Sequence, residues 1–192
     1  MNQIYIYDGS FDRGDLGWSL VREGACRYGW ERNLPYDFED IEICRTDSGK
    51  PFFVNIPVAF SLSHSGAMWM CLFSENPCGL DVQIVEEDRD WKIISQRRYT
   101  GEEQHYVELW GVEGFYEIWV RKEAFGKCTG RGIFSEMPSM VDENIELCAQ
   151  VEYGQMTYSF GTVAISPEVK CAYCFADATD HMEMDVELRI LG

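Results

Sequence analysis

Residues 119–127 read Trp119-Val120-Arg121-Lys122-Glu123-Ala124-Phe125-Gly126-Lys127, and the interpretation of the whole chain rests on them. On a helix, Trp119, Glu123 and Lys127 follow one another along one face at i, i+4 and i+8, with Lys122 beside them. A carboxylate and two ammonium groups on one face can serve a metal ion and a phosphate together. The pattern also suits an exposed glutamate–lysine pair on an amphipathic helix, so this stretch alone leaves both interpretations open.

A second stretch, Gly79-Leu80-Asp81-Val82-Gln83, has the pattern of a strand. Residues two apart on a strand point to the same face, so Asp81 and Gln83 would present two oxygen ligands side by side. Leu80 and Val82 would then face the core. Hard cations such as Mg²⁺ prefer such oxygens, with phosphate and water completing the shell. The alternative is a strand that has a polar outer face and no ligand.

A third stretch, Ser63-His64-Ser65-Gly66, places a histidine between two hydroxyl groups. Hydroxyls, an imidazole and backbone N–H groups can together hold a phosphate. A structural histidine is the alternative. A serine nucleophile paired with His64 is disfavoured, because neighbouring strand residues point apart and no nucleophile-elbow pattern is present.

The remaining pattern predicts an α+β fold. Apolar or alternating runs predict strands over about 4–7, 41–44, 52–54, 58–62, 68–73 and 80–85, and again over 145–151, 158–165, 169–175 and 186–190. Helical spacing predicts helices over about 16–28 and 114–128, and Thr100-x-x-Glu103 fits a capping box that begins another helix. The charged run 86–90 suggests a boundary between two similar lobes, residues 1–90 and 91–192.

Composition excludes some classes of function. The formal net charge of −17 argues against a nucleic-acid partner, which needs a basic surface. No apolar run approaches the about 20 residues of a membrane span, and residues 1–7 do not resemble a signal peptide, so a cytoplasmic location is expected. The eight cysteines are expected to be reduced, and Cys171-Ala-Tyr-Cys174 is expected to pack in a strand, although a thiol or metal site there is an alternative.

Together these stretches resemble the 4′-phosphopantetheinyl transferases of the two-lobed surfactin type. The resemblance covers about residues 45–133 and rests on the turn Gly49-Lys50-Pro51, on Leu62–Gly66, on Gly79–Gln83, on Tyr99-Thr100-x-x-Glu103 and on Trp119–Lys127. It implies two α+β lobes related by a pseudo-twofold axis, with coenzyme A in the cleft between them. Two lobes in one chain make a monomer sufficient.

The resemblance also implies an activity of the holo-[acyl-carrier-protein] synthase type. The phosphopantetheine arm of coenzyme A would move to a serine of an acyl or peptidyl carrier protein, with Mg²⁺ as cofactor and adenosine 3′,5′-bisphosphate as leaving group. A degenerate homologue that binds coenzyme A or a carrier without transfer is the alternative. The acidic chain would repel acidic carriers, so docking is expected to use a local apolar patch with Arg97 and Arg98.

The site residues that the resemblance implies fall into three groups. The Mg²⁺ ligands would be Asp81, Gln83 and Glu123, although the family usually has glutamate in place of Gln83, which predicts a higher Mg²⁺ requirement. Coenzyme A would be bound by Lys50 and Pro51 at the adenine end, by Ser63 and His64 at the 3′-phosphate, and by Lys122 and Lys127 along the phosphates. The catalytic groups would be Glu123 as general base and Lys127 beside the departing phosphate. Family members often have basic residues upstream that reach the 3′-phosphate, and Arg22, Arg27 and Arg45 are available for this role, although the motifs do not align them.

Overall fold

The computed structural model describes residues 2–12, 14–88, 90–132, 136–177 and 184–192. The elements are β1 (Asn2–Tyr7), α1 (Asp15–Glu31), β2 (Ile43–Arg45), β3 (Pro51–Phe53), β4 (Ala59–Ser65), β5 (Met68–Ser74), β6 (Cys78–Ile84), α2 (Trp91–Arg98), α3 (Gly101–Thr129), β7 (Gln150–Tyr153), β8 (Met156–Thr162), β9 (Val169–Asp177) and β10 (Val186–Leu191). The predicted α+β class is confirmed. Helix α2 was not predicted, because Ser95 is its only buried residue and it carries no apolar stripe.

Two four-stranded sheets form the centre of the molecule. Their strand orders are β10-β1-β5-β4 and β6-β9-β8-β7, and β2 and β3 form a separate hairpin. The inner faces of the sheets share one apolar cluster, in which Ile4 and Leu72 of the first sheet meet Leu80 and Val82 of the second. Helix α1 covers the outer face of the first sheet and α3 covers the outer face of the second. The chain is therefore built in four layers.

A row of serines joins the sheets where β4 lies beside β6. Strand β6 is the edge of its sheet, so its outward N–H groups lack a strand partner. The hydroxyls of Ser61, Ser63 and Ser65 accept hydrogen bonds from the N–H groups of Leu80 (2.9 Å), Val82 (3.2 Å) and Ile84 (2.9 Å), respectively. The alternating serines on one face of β4 thus match the alternating amides of β6.

Strand pairing crosses the predicted lobe boundary in both directions. Strand β6 belongs to the second sheet although it precedes residue 90, and β10 pairs in parallel with β1. The division into lobes at residue 90 stays a prediction. Arg89, in the charged run that suggested it, lies outside the described residues.

Helix α3 is a hairpin of two helical arms, residues 101–110 and 112–129. Gly111 between them has φ 62° and ψ −140°, a conformation open only to glycine. Glu103 and Lys122 nevertheless approach within 2.9 Å, whereas a straight helix would separate them by about 28 Å. The chain therefore reverses direction at Gly111, which accounts for the two helices that the sequence pattern predicts here.

Both ends of α3 also follow the predicted signals. The capping box is present, since the Thr100 hydroxyl accepts from the Glu103 N–H and the Glu103 carboxylate accepts from the Thr100 N–H. The second arm ends at Gly130, which adopts the left-handed conformation. Within the described residues, no helix combines the length and the apolar composition that crossing a membrane would require.

Candidate active site

Asp81 on β6 is the centre of the candidate site. Only 2% of its surface is exposed, so its carboxylate needs partners inside the protein. It has three: the Ser63 hydroxyl and the Lys127 ammonium each donate to Oδ1 at 2.7 Å, and the Gln83 amide donates to Oδ2 at 3.1 Å. Strands β4 and β6 and the second arm of α3 therefore converge on one carboxylate.

Asp81 and Gln83 do lie on the same face of β6, as the strand period predicts, while Leu80 and Val82 are fully buried between the sheets. The Gln83 side chain, however, acts as a hydrogen-bond donor toward Asp81. A glutamate at this position would repel Asp81 unless a cation lay between them. Gln83 instead satisfies the neighbouring carboxylate directly.

Lys127 and Glu123 lie one helical turn apart on the second arm, so both point toward the same side of the helix. Lys127 donates to the Leu80 carbonyl (2.9 Å) as well as to Asp81. Both residues line a cavity of about 310 Å³, and Asp81 and Gln83 are not among its lining residues.

Further lining residues of this cavity come from α1, the β2–β3 hairpin and β4. They include the turn Gly49-Lys50-Pro51. The Lys50 ammonium donates to the carbonyl oxygens of Cys128 (2.8 Å) and Cys78 (3.4 Å). The carbonyl end of a helix carries partial negative charge, which favours the Lys50 ammonium there. Lys50 therefore attaches the hairpin to the end of α3. The structure thus brings Lys50, Pro51, Glu123 and Lys127 into one cavity.

Lys122 lies elsewhere. Its ammonium pairs with Glu103 at 2.9 Å and sits 5.6 Å from the centre of the Tyr99 ring. Glu103 is fully buried and also accepts from the Met140 N–H at 2.8 Å. Lys122 lines a second cavity, of about 420 Å³, together with Trp119 and residues of α2. The pair with Glu103 joins the two helical arms of α3. The predicted contact of Lys122 with phosphate stays a prediction.

Ser63 and His64 point to opposite faces of β4. The Ser63 hydroxyl is buried and is occupied by Asp81 and by the Val82 N–H. The His64 ring packs against Phe11, with 5.3 Å between ring centres. Neither residue lines the 310 Å³ cavity, so the predicted 3′-phosphate contact of this pair stays a prediction.

The donor set suits a hard cation. Asp81 and Glu123 offer carboxylate oxygens, and Mg²⁺ commonly takes one or two carboxylates and completes its shell with water and phosphate. The described residues contain no group of three or more His, Cys, Asp or Glu side chains arranged for a metal. Gln83 could contribute only its amide oxygen, which requires its amide to turn away from Asp81.

Sequence reasoning left two wall residues without a role. Trp18 belongs to the apolar spacing of α1, and Arg45 was one of three upstream arginines. Both line the cavity, and the Arg45 guanidinium carbon lies 5.2 Å from the centre of the Trp18 ring. Arg22 and Arg27 donate instead to the backbone carbonyls of Ile41 and Ile190.

Cys171 and Cys174 alternate along β9, so their side chains point to opposite faces of the sheet. Both are free and buried, and burial raises the pKa of Cys171 to about 12. Packing in a strand therefore accounts for this pair.

Known proteins resemble this chain in sequence. Residues 77–173 match the model of the 4′-phosphopantetheinyl transferase superfamily. The 4′-phosphopantetheinyl transferase gsp of Aneurinibacillus migulanus is 32% identical over 136 residues, which are 69% of this chain but 54% of that protein. The match thus spans about half the length of that relative. The 4′-phosphopantetheinyl transferase Sfp of Bacillus subtilis is 25% identical over 176 residues, covering 86% of this chain and 77% of Sfp.

The family match begins just before β6 and ends within β9, so it contains Asp81, Glu123 and Lys127. It confirms the resemblance that the sequence motifs indicate: the chain belongs to the 4′-phosphopantetheinyl transferase superfamily.

Proposed function

We propose that this chain transfers the 4′-phosphopantetheine group of coenzyme A to a serine hydroxyl of an acyl or peptidyl carrier protein, with Mg²⁺ as cofactor. One observation carries the proposal. Lys127, which contacts Asp81 at 2.7 Å, lines one cavity together with Glu123 and the Lys50-Pro51 turn, although the turn is far from the helix in sequence. These charges would hold the pyrophosphate of coenzyme A, and the turn would hold its nucleotide.

The reaction is a phosphoryl-type transfer. The serine oxygen of the carrier forms a bond to the β-phosphorus of coenzyme A, and the bond from that phosphorus to the bridging oxygen breaks. Adenosine 3′,5′-bisphosphate leaves with the bond electrons, and the serine proton goes to a base. Mg²⁺, when bound at Asp81 and Glu123, would offset charge on the pyrophosphate.

Two side chains of this chain have distinct roles in the proposal. The Lys127 ammonium is held by Asp81 and the Leu80 carbonyl. This fixed positive charge would stabilise the negative charge that the leaving phosphate gains. Glu123 faces the same cavity and would accept the serine proton, directly or through a water.

The carrier would dock on the face formed by α2 and α3. The second cavity lies there, lined by Ile93 and Met137 with Arg97 and Arg98 at its edge. Ile93 is 47% exposed, and the two arginines are a local basic patch on a chain of net charge −17. An acidic carrier helix with an apolar residue would suit this face. Reversing the charge of both arginines should raise the KM for the carrier, whereas Arg27→Glu on α1 should not.

A coenzyme A-binding protein without transferase activity is the second candidate. It is favoured by the three hydrogen bonds that already satisfy Asp81, one of which comes from Gln83 where the family usually has a glutamate. Release of adenosine 3′,5′-bisphosphate that depends on Mg²⁺ would distinguish the two functions.

The decisive experiment is intact-mass spectrometry of an apo carrier protein incubated with this protein, coenzyme A and Mg²⁺. Carriers of fatty-acid, polyketide and nonribosomal-peptide type are tested in parallel. A gain of one phosphopantetheine is expected with the wild type and with Glu108→Ala, an exposed glutamate on the first arm of α3. Glu123→Ala should abolish the gain. Binding of coenzyme A without any mass gain would favour the second candidate.

A further inference from the structure

We propose that Arg121 binds the carboxylate of a small organic acid with an apolar body, in a third cavity between the second arm of α3 and the chain that joins β8 to β9. The cavity has a volume of about 350 Å³, at the small end of the range for ligand sites. None of the described residues lines both this cavity and the 310 Å³ cavity. Such a site would therefore be separate from the candidate active site and independent of the proposed function.

Arg121 is a buried cation with few partners. Only 8% of its surface is exposed. Among the described residues, its guanidinium makes one hydrogen bond, from Nη1 to the Cys148 carbonyl at 2.9 Å, and no carboxylate lies within ion-pair distance of it. Its Nε–H is buried and has no acceptor in the same part of the chain. Because buried charges and buried donors normally have partners, Arg121 has the environment of a residue that binds a ligand.

One edge of the Arg121 guanidinium is suited to an anion. Nε and Nη2 lie side by side, and neither makes a hydrogen bond to the described residues, whereas Nη1 is used by Cys148. Two adjacent N–H donors match the two oxygens of a carboxylate. The guanidinium carbon lies 5.8 Å from the centre of the Phe160 ring, which helps to hold the group in place. Burial lowers the pKa of the guanidinium, and a bound carboxylate would oppose that effect.

The charges around the cavity favour a ligand with one negative charge. Lys170 also lines it, but its ammonium already pairs with Glu117 at 3.2 Å and with the half-exposed Glu113. Glu117, the one carboxylate among the described lining residues, also accepts from the Tyr106 hydroxyl at 2.7 Å. The lining therefore carries two cations and one anion. This excess of one positive charge suits a monocarboxylate, and Glu117 would repel a phosphate dianion.

Much of the remaining lining is apolar. It comes from α3, from the segment before β7 and from the chain around the start of β9, and its apolar members are Val120, Leu147, Val163, Pro167 and Val169. A hydrocarbon chain attached to the carboxylate would lose contact with water against these side chains. Affinity should therefore rise with the length of the acid, by up to about fourfold for each CH₂ that is buried.

Isothermal titration calorimetry of the full chain tests the site with four probes. Hexanoate has the carboxylate and an apolar body. Acetate has the charge without that body, and hexanamide has the body without the charge. Inorganic phosphate tests whether the site prefers a phosphate to a carboxylate.

Three variants locate the binding. Arg121→Met removes the charge but keeps a long apolar side chain, and loss of an unpaired buried charge should leave the fold intact. Glu117→Gln removes the lining carboxylate and keeps an oxygen that can accept from the Tyr106 hydroxyl. Arg27→Ala is the matched control, because Arg27 on α1 is also an arginine that donates to one backbone carbonyl, at 2.6 Å. Circular dichroism and urea unfolding check that each variant is folded.

The wild type should bind hexanoate more tightly than acetate, and about 10- to 100-fold more tightly than hexanamide, the range expected for a charge-assisted hydrogen bond. Arg121→Met should abolish hexanoate binding. Glu117→Gln should tighten it several-fold, because a nearby negative charge is removed, and Arg27→Ala should leave it unchanged.

Four outcomes would overturn the inference. The wild type would fail to bind hexanoate, or would bind hexanamide equally well, if Arg121 received no anion. Hexanoate binding that neither Arg121→Met nor Glu117→Gln changed would place the ligand elsewhere on the chain, and Glu117→Gln decides this point if Arg121→Met does not fold. Phosphate that bound more tightly than hexanoate would overturn the assignment of a carboxylate.

Discussion

Replacing Ser63 by alanine tests whether the Ser63 hydroxyl stabilises the buried Asp81 carboxylate in addition to joining β4 to β6. Ser61 and Ser63 are both buried, and each accepts one N–H of β6. Ser63 alone also donates to a carboxylate, that of Asp81 at 2.7 Å. The two substitutions therefore differ by one charge-assisted hydrogen bond.

The magnitudes follow from these contacts. Ser61→Ala leaves the Leu80 N–H buried and unpaired, which should lower the free energy of unfolding by about 1–3 kcal/mol. Ser63→Ala leaves the Val82 N–H in the same state and also removes a donor from a buried carboxylate. The second loss should cost about 1.5–3 kcal/mol more. Ser65→Ala, whose bond to the Ile84 N–H is only partly buried, should be the mildest of the three.

Urea unfolding followed by tryptophan fluorescence and by circular dichroism measures all three variants. The comparison is valid if both probes give coincident transitions and the m-value is unchanged. Equal destabilisation by Ser61→Ala and Ser63→Ala would refute the reasoning, because it would mean that the Ser63 hydroxyl contributes nothing to holding Asp81. Such a result would leave the Ser63 hydroxyl available as a phosphate ligand.

Three further predictions concern the metal, the helix reversal and the thiols. Gln83→Glu should tighten Mg²⁺ binding by calorimetry and lower stability in EDTA by about 1 kcal/mol, because it exchanges a hydrogen-bond donor for a second negative charge; unchanged Mg²⁺ affinity would contradict this. Gly111→Ala should lower the urea midpoint by the equivalent of about 1–3 kcal/mol. A Cβ at residue 111 has space, but alanine would be strained in the positive-φ backbone conformation there. Gly101→Ala should be nearly neutral, because residue 101 has both space and a negative φ. Exposed Cys44 should react with a thiol reagent in a fast phase at pH 8, and Cys44→Ser should remove that phase. Burial raises the pKa of Cys171 to about 12, so this thiol should react only after unfolding.

Local features of the site were predictable because they depend on near neighbours in sequence. The two-residue period of β6 turns Asp81 and Gln83 to one face and Leu80 and Val82 to the other. The capping box begins α3 at Thr100, and a glycine ends it. The motif spacing also indicated the correct family before any geometry was known.

Contacts across the fold were not predictable in the same way. The sequence places Lys122 beside Glu123 and suggests a shared ligand, but the chain reversal at Gly111 brings Glu103 to the Lys122 ammonium. Nothing local shows that residues 19 positions apart on one helical element will meet. The predicted phosphate contact of Ser63 is a similar case, because the Ser63 hydroxyl already bonds to Asp81 and to the Val82 N–H of β6.

The sequence by itself determined the α+β class, the family and the shared face of Asp81 and Gln83 on β6, because side-chain periodicity and capping are local properties of the backbone. Only the tertiary structure decided which charges meet. It paired Lys127 with Asp81, paired Lys122 with Glu103, and left Arg45 in the cavity wall beside Trp18. Buried ionic groups must find partners within a few ångströms, and the packing of the layers selects those partners regardless of their separation along the chain.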